Sequence, residues 1–350
     1  MFHKALWMRN WKQGKYVVSL FFFSTLYFLS YSYYEAAQQQ LANYHEFHAK
    51  GTFYYNYSFF SANSFLLTIL IISLACLLLG WQRHNQSNNI LMAMPFKRSD
   101  IFLSKWLFGT FVISGSLLIN WGLMYAIYKT SIHYNYQSFG PFHRYFLYAI
   151  VSYVAVYTTA LCIGTFTGSI VSQVTFCIPW LLMGLTFISL SHSFVINHLN
   201  ALDYQNPHLY EQLDEINAKT NIVVPIYNFS IYYDYDPKSR QEDDNSAILR
   251  DPASYVYYSA KSMLVPIFYT IFYLLLGTFF YKRSPNENNQ KIFLFQKHLP
   301  IWIGGTTLYF ALLGGYKLHQ FNLFSYYIGI FLVGTITYFI LSRFTNYKVF

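Results

Sequence analysis

The stretch "FSANSFLLTILIISLACLLLGW", residues 60–81, decides the fold of this 350-residue chain. Ten leucine or isoleucine residues lie between Leu66 and Leu79, each worth roughly −0.3 to −0.6 kcal/mol on an insertion scale. About 20 mostly apolar residues are enough to cross a bilayer as a helix, because lipid offers the backbone no hydrogen-bond partners. The stretch therefore predicts a membrane-spanning helix.

The rest of the chain has the same character, since 55% of its residues are hydrophobic and only 11% are charged, against roughly 25% charged in a soluble domain. We predict an all-α polytopic membrane protein with about eight transmembrane helices in a single domain, residues 1–350. The predicted spans are Tyr16–Tyr34, Phe60–Trp81, Trp106–Tyr128, Tyr145–Ile170, Val171–Phe194, Met263–Tyr281, Ile301–Tyr316 and Ser325–Leu341. The last two lie within residues 300–342.

The net charge of +9 does not indicate a nucleic-acid partner, because the basic residues are scattered among short loops. Their distribution instead predicts orientation. With the N-terminus inside, the inner segments hold 14 of the 23 Lys and Arg residues and only two of the 14 acidic residues, Asp100 and Glu287. Positive charge is retained in the cytoplasm. We therefore expect both termini to be cytoplasmic, and the resemblance described below implies a bacterial plasma membrane.

The large soluble piece is predicted outside, at residues 196–261. Asn206 followed by Pro207 is typical of a helix start, and a stripe of apolar residues follows, formed by Leu209, Leu213 and Ile216. This pattern predicts an extracellular helical cap. The acidic "YYDYDPKSRQEDDN", residues 232–245, is interpreted as a solvated loop.

No motif indicates catalysis or a cofactor in this chain. "HEFH" at residues 45–48 spaces its histidines three apart instead of the four of a zinc-protease helix, and is interpreted as surface loop. No phosphate-binding P-loop is present, and the three cysteines have no framework spacing for a disulfide or metal site. The predicted spans carry no charge, which disfavours an ion-coupled carrier. Gly164 and Gly168 could admit a second protein's helix or, as we prefer, pack within the chain.

Two basic, aromatic segments stand out on the predicted cytoplasmic side. The first is "HKALWMRNWKQGK", residues 3–15, predicted to be an interfacial helix in contact with membrane lipid. Its apolar side would carry Leu6, Trp7 and Trp11, and its headgroup side Arg9 and Lys12. An ordinary basic flank is the alternative.

The second segment is "QRHNQSNNILMAMPFKRSDIFLSKW", within residues 82–106. Asn89 can cap a short helix that ends at Pro95, and Ser99 with Asp100 can start the helix that becomes span three. This order predicts a short helix lying across the inner mouth of the membrane domain, where a cytoplasmic partner could push on it.

These residues resemble the permease subunits of ABC-2 type (type V fold) exporters. In that family an N-terminal elbow helix precedes span one, and a coupling helix between spans two and three ends in a proline turn followed by basic residues. This chain has Met94, Pro95, Phe96, Lys97 and Arg98, then Ile101, Phe102 and Lys105. Methionine replaces the usual leucine, and Asn88 and Asn89 replace a glycine–glutamate pair. "YKRSPNENNQKIFLF" and "ALLGG", at 281–295 and 311–315, resemble acetoin-utilisation-type permeases of Gram-positive bacteria.

The resemblance implies a non-catalytic half-transporter that moves a hydrophobic or amphipathic substrate, such as a cytolytic peptide or a lipid-like molecule, out of the cell. ATP and magnesium would be bound by a separate ABC ATPase, present in two copies, and a second permease would be the same chain or a paralogue. The ATPase would contact the predicted coupling helix and turn: Asn89, Ile90, Leu91, Met92, Ala93, Met94, Pro95, Phe96, Lys97 and Arg98. A peptide-sensing or resistance module without net export and a membrane-integral enzyme remain alternatives.

Overall fold

The computed structural model describes most of the chain, and the fold is that of a polytopic helical membrane protein. The described residues are 3–50, 52–60, 64–84, 94–201, 224–227, 229–235, 252, 254–256, 260–285, 291–295, 299–318 and 323–346. In chain order the helices are α1 (Lys4–Phe47), α2 (Ser64–Trp81, continued by Gln82–His84), α3 (Arg98–Thr130), α4 (His133–Tyr136), α5 (Gly140–Phe166), α6 (Ile170–Ala201), α7 (Val224–Tyr227), α8 (Leu264–Arg283), α9 (Leu299–Leu318) and α10 (Leu323–Asn346). The strands are β1 (Tyr55–Phe60), β2 (Ser230–Tyr235) and β3 (Ser254–Val256).

Six helices of the described residues are long and apolar enough to cross a membrane. They are α1, α2, α3, α5, α8 and α10, with α8 extended by the preceding turn to Lys261. The segments predicted as spans five and seven are also helical, as α6 and α9. Each of the eight predicted segments therefore contains a described helix, and six of these helices meet the length and composition of a span.

Residues 4–15 of the predicted interfacial helix are helical, but they belong to α1, which is continuous from Lys4 to Phe47. Gly14 lies inside this helix, where Leu74 of α2 and Phe108 of α3 pack closely against it. Contact with two neighbouring helices holds this glycine in helical conformation, so the segment joins span one directly.

Two of the described helices contain a π-helical turn, at Leu26–Tyr31 in α1 and at Leu77–Trp81 in α2. Such turns shift backbone carbonyls away from their usual α-helical partners and often occur at functional sites. Near the first turn, Ser30 donates to Asn120 of α3 over 2.7 Å, and Asn120 donates to Thr25 over 3.1 Å. The wide turn of α1 is therefore tied to α3 by buried polar side chains.

Helix α5 forms the centre of the bundle, and its aromatic side chains Tyr145, Tyr153 and Tyr157 are almost completely buried. Packing between α9 and α10 depends instead on small residues. A Cβ atom on Gly314 would lie 2.8 Å from the carbonyl oxygen of Gly329, so only glycine permits this approach of the two backbones.

The predicted helix of the cap, from Asn206 on, lies outside the described residues, while β1, β2 and β3 form a three-stranded antiparallel sheet that the sequence does not predict. Alternate residues of β1, namely Tyr55, Tyr57 and Phe59, are buried while those between them are exposed, as expected for a half-buried strand. Residues 232–235, interpreted from sequence as loop, belong to β2. The predicted apolar stripe at Leu209, Leu213 and Ile216 lies outside the described residues.

Two smaller sequence interpretations have clear outcomes. His45 and His48, interpreted as surface loop, lie at the end of α1 and in the helical turn that follows it. The Gly164–Gly168 motif packs within the chain, since a Cβ on Gly164 would meet the amide group of Gln173.

Candidate functional site

The ends of five helices meet at one end of the bundle, which we call the N-terminal face. It comprises the starts of α1 and α3 and the ends of α2, α5 and α8. The bend Met94–Phe96 lies on this face, and the backbone N–H of Phe96 donates to the carbonyl of Met94 over 2.7 Å. Lys97 is the N-cap of α3, which begins at Arg98 and has Asp100 in its first turn, where a carboxylate is favourable.

The bend is attached to two other helices. The ring of Phe96 lies 5.0 Å from that of His3, at the start of α1. The Nη1 atom of Arg98 donates to the carbonyl oxygens of Lys282 and Ser284, over 3.2 and 3.0 Å. Because these carbonyls belong to the last turn of α8 and to its C-cap, Arg98 satisfies acceptors that a helix end leaves open. A force on the bend would therefore act on α1, α3 and α8 together.

The predicted ATPase-contacting residues fall into three groups. Asn89, Ile90, Leu91, Met92 and Ala93 lie outside the described residues. The side chains of Met94, Pro95 and Lys97 are exposed, whereas Phe96 and Arg98 are partly buried by the contacts just given.

A buried lysine lies two helical turns deeper along α3. Lys105 of α3 donates to the carbonyl of Leu78, in the π-helical turn of α2, and to the Oε1 atom of Gln82. Gln82 in turn donates to Gln13 of α1 over 2.6 Å, and Gln13 donates to the carbonyl of Leu77. The carbonyls of the π-helical turn thus accept hydrogen bonds from side chains of α1 and α3. The sequence predicts the charge of Lys105 outside the membrane domain, but the structure holds it among these helices.

Arg83 is also fully buried at this face. Its Nη1 atom donates to the carbonyl oxygens of Gly164 and of Thr167, the latter over 2.6 Å, and so joins the end of α2 to the end of α5. Its Nε and Nη2 atoms have no hydrogen-bond partner among the described residues, and its guanidinium lies 5.8 Å from the ring of Tyr281. Burial lowers the pKa of Arg83 to about 10, while Tyr281 acts in the opposite direction, so the group stays charged at neutral pH.

The predicted interfacial residues of segment 3–15 do not share the expected faces. Leu6 is buried, and Trp7 is partly buried with its ring edge-on to aromatic rings of α3. Trp11 is 47% exposed and Lys12 is exposed. Arg9 is partly buried and interacts electrostatically with the buried lysine of α3. Trp11 is therefore more exposed than Leu6 and Trp7, and Arg9 is partly buried.

A second polar cluster lies at the opposite face, under the sheet. Gln137 donates through Nε2 to the hydroxyl of Tyr55 over 2.6 Å, and that hydroxyl lies 2.6 Å from Nδ1 of His133. The hydroxyl of Tyr33 donates to Gln137 over 2.8 Å, and Nε2 of His133 lies 3.2 Å from the carbonyl of Tyr33. Burial lowers the pKa of His133 to about 4, so its ring is neutral at pH 7. These satisfied groups fasten β1 to α1 and α4.

Within the described part of the chain, no group of three or more His, Cys, Asp or Glu side chains is placed to hold a metal ion. The described polar groups at the N-terminal face are hydrogen-bond donors and cations that fasten helix ends to one another. Their arrangement suits the transmission of movement more than covalent chemistry.

The fold and the site together define a class of protein. It is a multi-pass helical membrane protein whose helix ends are joined by basic and aromatic side chains. Comparison with known proteins gives the family: the model of the "ABC-2 family transporter protein" family matches residues 11–285. The chain belongs to this family, and is a membrane component of an ABC transporter. Helices α9 and α10 lie beyond the matched residues.

The chain is also similar to the probable ABC transporter permease YtrC of Bacillus subtilis (strain 168), with 24% identity over 277 residues, which cover 76% of this chain and 71% of that protein. No solved structure matches it. The family and this relative are permease components, which are generally non-catalytic, and the family implies an ABC ATPase as partner.

Proposed function

We propose that the chain is the permease subunit of an ATP-driven exporter, and that its ATPase docks at the N-terminal face on the bend Met94–Phe96, on Lys97 and on the preceding residues 89–93. Two ATPase subunits and a second permease, identical or paralogous, would complete the transporter. The substrate would be hydrophobic or amphipathic, with a cytolytic or antimicrobial peptide as the leading candidate. ATP and Mg²⁺ would be bound by the ATPase.

The observation that carries this proposal is the attachment of an exposed bend to three helices. Met94, Pro95 and Lys97 are accessible to a partner, while Phe96 contacts the start of α1 and Arg98 holds the end of α8. A docked ATPase that changes conformation would displace the bend. Since packed helices move as nearly rigid bodies, α1, α3 and α8 would follow.

The hydrogen bonds around Lys105 would carry this displacement to α2. Lys105 lies two turns along α3 from the bend and donates to the π-helical turn of α2. Arg83 would extend the connection from α2 to α5. The mechanism needs no chemical step in this chain, and its work is to change which face of the membrane the substrate path opens to.

The orientation follows from the charge distribution, and it would place the N-terminal face in the cytoplasm of a bacterial cell. The docking bend would then face the compartment that supplies ATP, and the sheet β1–β3 would lie outside. Export is the direction that this orientation and the family resemblance favour.

The test is affinity purification of the tagged full chain in mild detergent, with mass spectrometry of the bound proteins. We expect wild type to retain a P-loop ATPase, and the double variant P95A/F96A to retain at least tenfold less of it while still inserting into the membrane. The matched control is K12A/K15A, which removes two exposed charges from α1. A wild-type chain that purifies without an ATPase, or equal retention by the bend variant, would overturn the docking proposal.

A further inference from the structure

A cleft of about 300 Å³ lies between α5, α8 and the start of α9. Aromatic rings form its wall. The ring centroid of Phe166 lies 5.0 Å from that of Trp302 and 6.1 Å from that of Phe280, and Phe293 lies 5.8 Å from Trp302. Leu276 of α8 completes this part of the lining. The described lining is almost wholly apolar, so water inside the cleft would find few hydrogen-bond partners.

The mouth of the cleft opens sideways, toward the surface that a membrane covers. Two lining residues, Phe272 and Ile301, are 47% and 71% exposed. The neighbouring Phe268 and Leu275, on the membrane-spanning α8, are each 65% exposed. Acyl chains of lipid surround such a surface, so an acyl chain is the molecule that reaches this mouth most readily.

The residues that flank the cleft lining at the N-terminal face, 279–285 and 291–295, are called its rim, and their charged side chains are basic. Lys282 and Arg283 end α8 with exposed side chains, and the guanidinium of Arg283 lies 4.0 Å from the centroid of the Phe279 ring. Lys291 is exposed and begins the segment whose next residues, Ile292 and Leu294, bond to the turn between α5 and α6. The described residues of this rim, 279–285 and 291–295, include no Asp or Glu.

We propose that this cleft binds one acyl chain of an anionic phospholipid from the leaflet at the N-terminal face, with the lipid phosphate held by Arg283 and Lys291. The apolar wall would contact the acyl chain, and the basic rim would bind the anionic headgroup, because cationic side chains near a membrane attract anionic lipid. A volume of about 300 Å³ is at the lower end of ligand cavities, which suits one chain and not a peptide helix.

This site would join elements that the docking bend does not touch directly. The cleft lies between α8, whose end Arg98 holds, and α9, which the family match does not include. A lipid seated there would therefore act as packing between the matched part of the chain and its last two helices. The inference does not depend on transport or on the ATPase.

The experiment is native mass spectrometry of the full chain released from nanodiscs that contain equal amounts of phosphatidylcholine and phosphatidylglycerol. We expect wild type to retain one phosphatidylglycerol. The variant L276W, which fills the cleft, should retain at least tenfold less, whereas L275W, which places the same bulk on the lipid-facing side of α8, should match wild type. Retention of no lipid by wild type, or equal retention by the two variants, would overturn the proposal.

The headgroup is tested with R283Q/K291Q against K12Q/K15Q, two exposed lysines of α1. Only R283Q/K291Q should abolish the preference for phosphatidylglycerol over phosphatidylcholine. A preference that persists in R283Q/K291Q would overturn the assignment of the phosphate.

A third measurement uses variants in which the cleft is not filled, so that its outcome does not depend on whether L276W folds. Phosphatidylglycerol with brominated acyl chains should quench tryptophan fluorescence of the wild type, and W302F should lose a part of that quenching. Quenching that is identical in wild type and W302F would contradict occupation of the cleft by an acyl chain.

Discussion

Replacing Arg98 with alanine should loosen the end of α8 without altering the exposed surface of the docking bend. The side chain makes two hydrogen bonds to carbonyl oxygens, with Lys282 over 3.2 Å and with Ser284 over 3.0 Å. Hydrogen bonds that involve a charged group contribute about 1.5–3 kcal/mol each. Because this guanidinium is only partly buried, water screens it, and we expect about 2 kcal/mol for the pair together.

The assay is hydrogen–deuterium exchange of the peptide that covers residues 278–285. A local opening free energy reduced by about 2 kcal/mol corresponds to roughly 30-fold faster exchange. The variant K97A is the matched control, since Lys97 is adjacent and basic but exposed. It should leave exchange at 278–285 within about twofold of wild type. Unchanged exchange in R98A, or an equal increase in K97A, would refute the view that Arg98 fastens the bend to α8.

Three further predictions concern other parts of the chain. The pKa of His133 is about 4 when folded against an ordinary value of 6.5, so the unfolded chain binds more protons between these values. Stability should then fall by on the order of 3 kcal/mol as pH decreases from 6.5 to 4, and melting curves of H133N should show a smaller slope over this window. G109A should lose about 1–3 kcal/mol of stability because a Cβ would collide with a buried tyrosine ring, whereas G115A, on the same helix but in open space, should match or exceed wild type in melting temperature. In intact cells a membrane-impermeant maleimide should label T130C and not K97C, and the reverse pattern would contradict the orientation.

The helices could be predicted from the sequence because lipid demands long apolar runs. The run from Leu66 to Leu79 lies within α2, and the other predicted apolar runs also fall on helices. Span three is predicted from Trp106, within a helix that starts at Ser99 and Asp100, and α3 begins at Arg98. The sequence prediction places the charge of Lys105 outside the membrane domain.

Lys105 shows why that prediction failed. Its charge is accommodated by the carbonyl of Leu78 and the amide oxygen of Gln82. The carbonyl is available because α2 widens to a π-helical turn, a feature that periodicity does not indicate. The proline bend and the acidic residue in the first turn of α3 follow local rules of helix ends, and the sequence predicted both.

The sheet was missed for a different reason. β1 shows strict alternation of buried and exposed residues, a pattern typical of a strand. However, its partner β2 lies far along the chain, with Tyr55 paired to Tyr235. The buried residues of β1 are aromatic, and the whole chain is rich in aromatic residues. Only the pairing of β1 with β2 therefore distinguishes this segment from an aromatic loop. The cluster around His133 depends on the same long-range contact.

The most direct test of the account is site-specific crosslinking from the docking bend in cells. A photoreactive amino acid would replace Met94, which is 38% exposed, and in a matched control it would replace Tyr54, which is 42% exposed next to β1. The account predicts that the probe at position 94 captures a P-loop ATPase and that the probe at position 54 does not. Absence of an ATPase from the position-94 products, or its equal capture from both positions, would contradict docking at the N-terminal face.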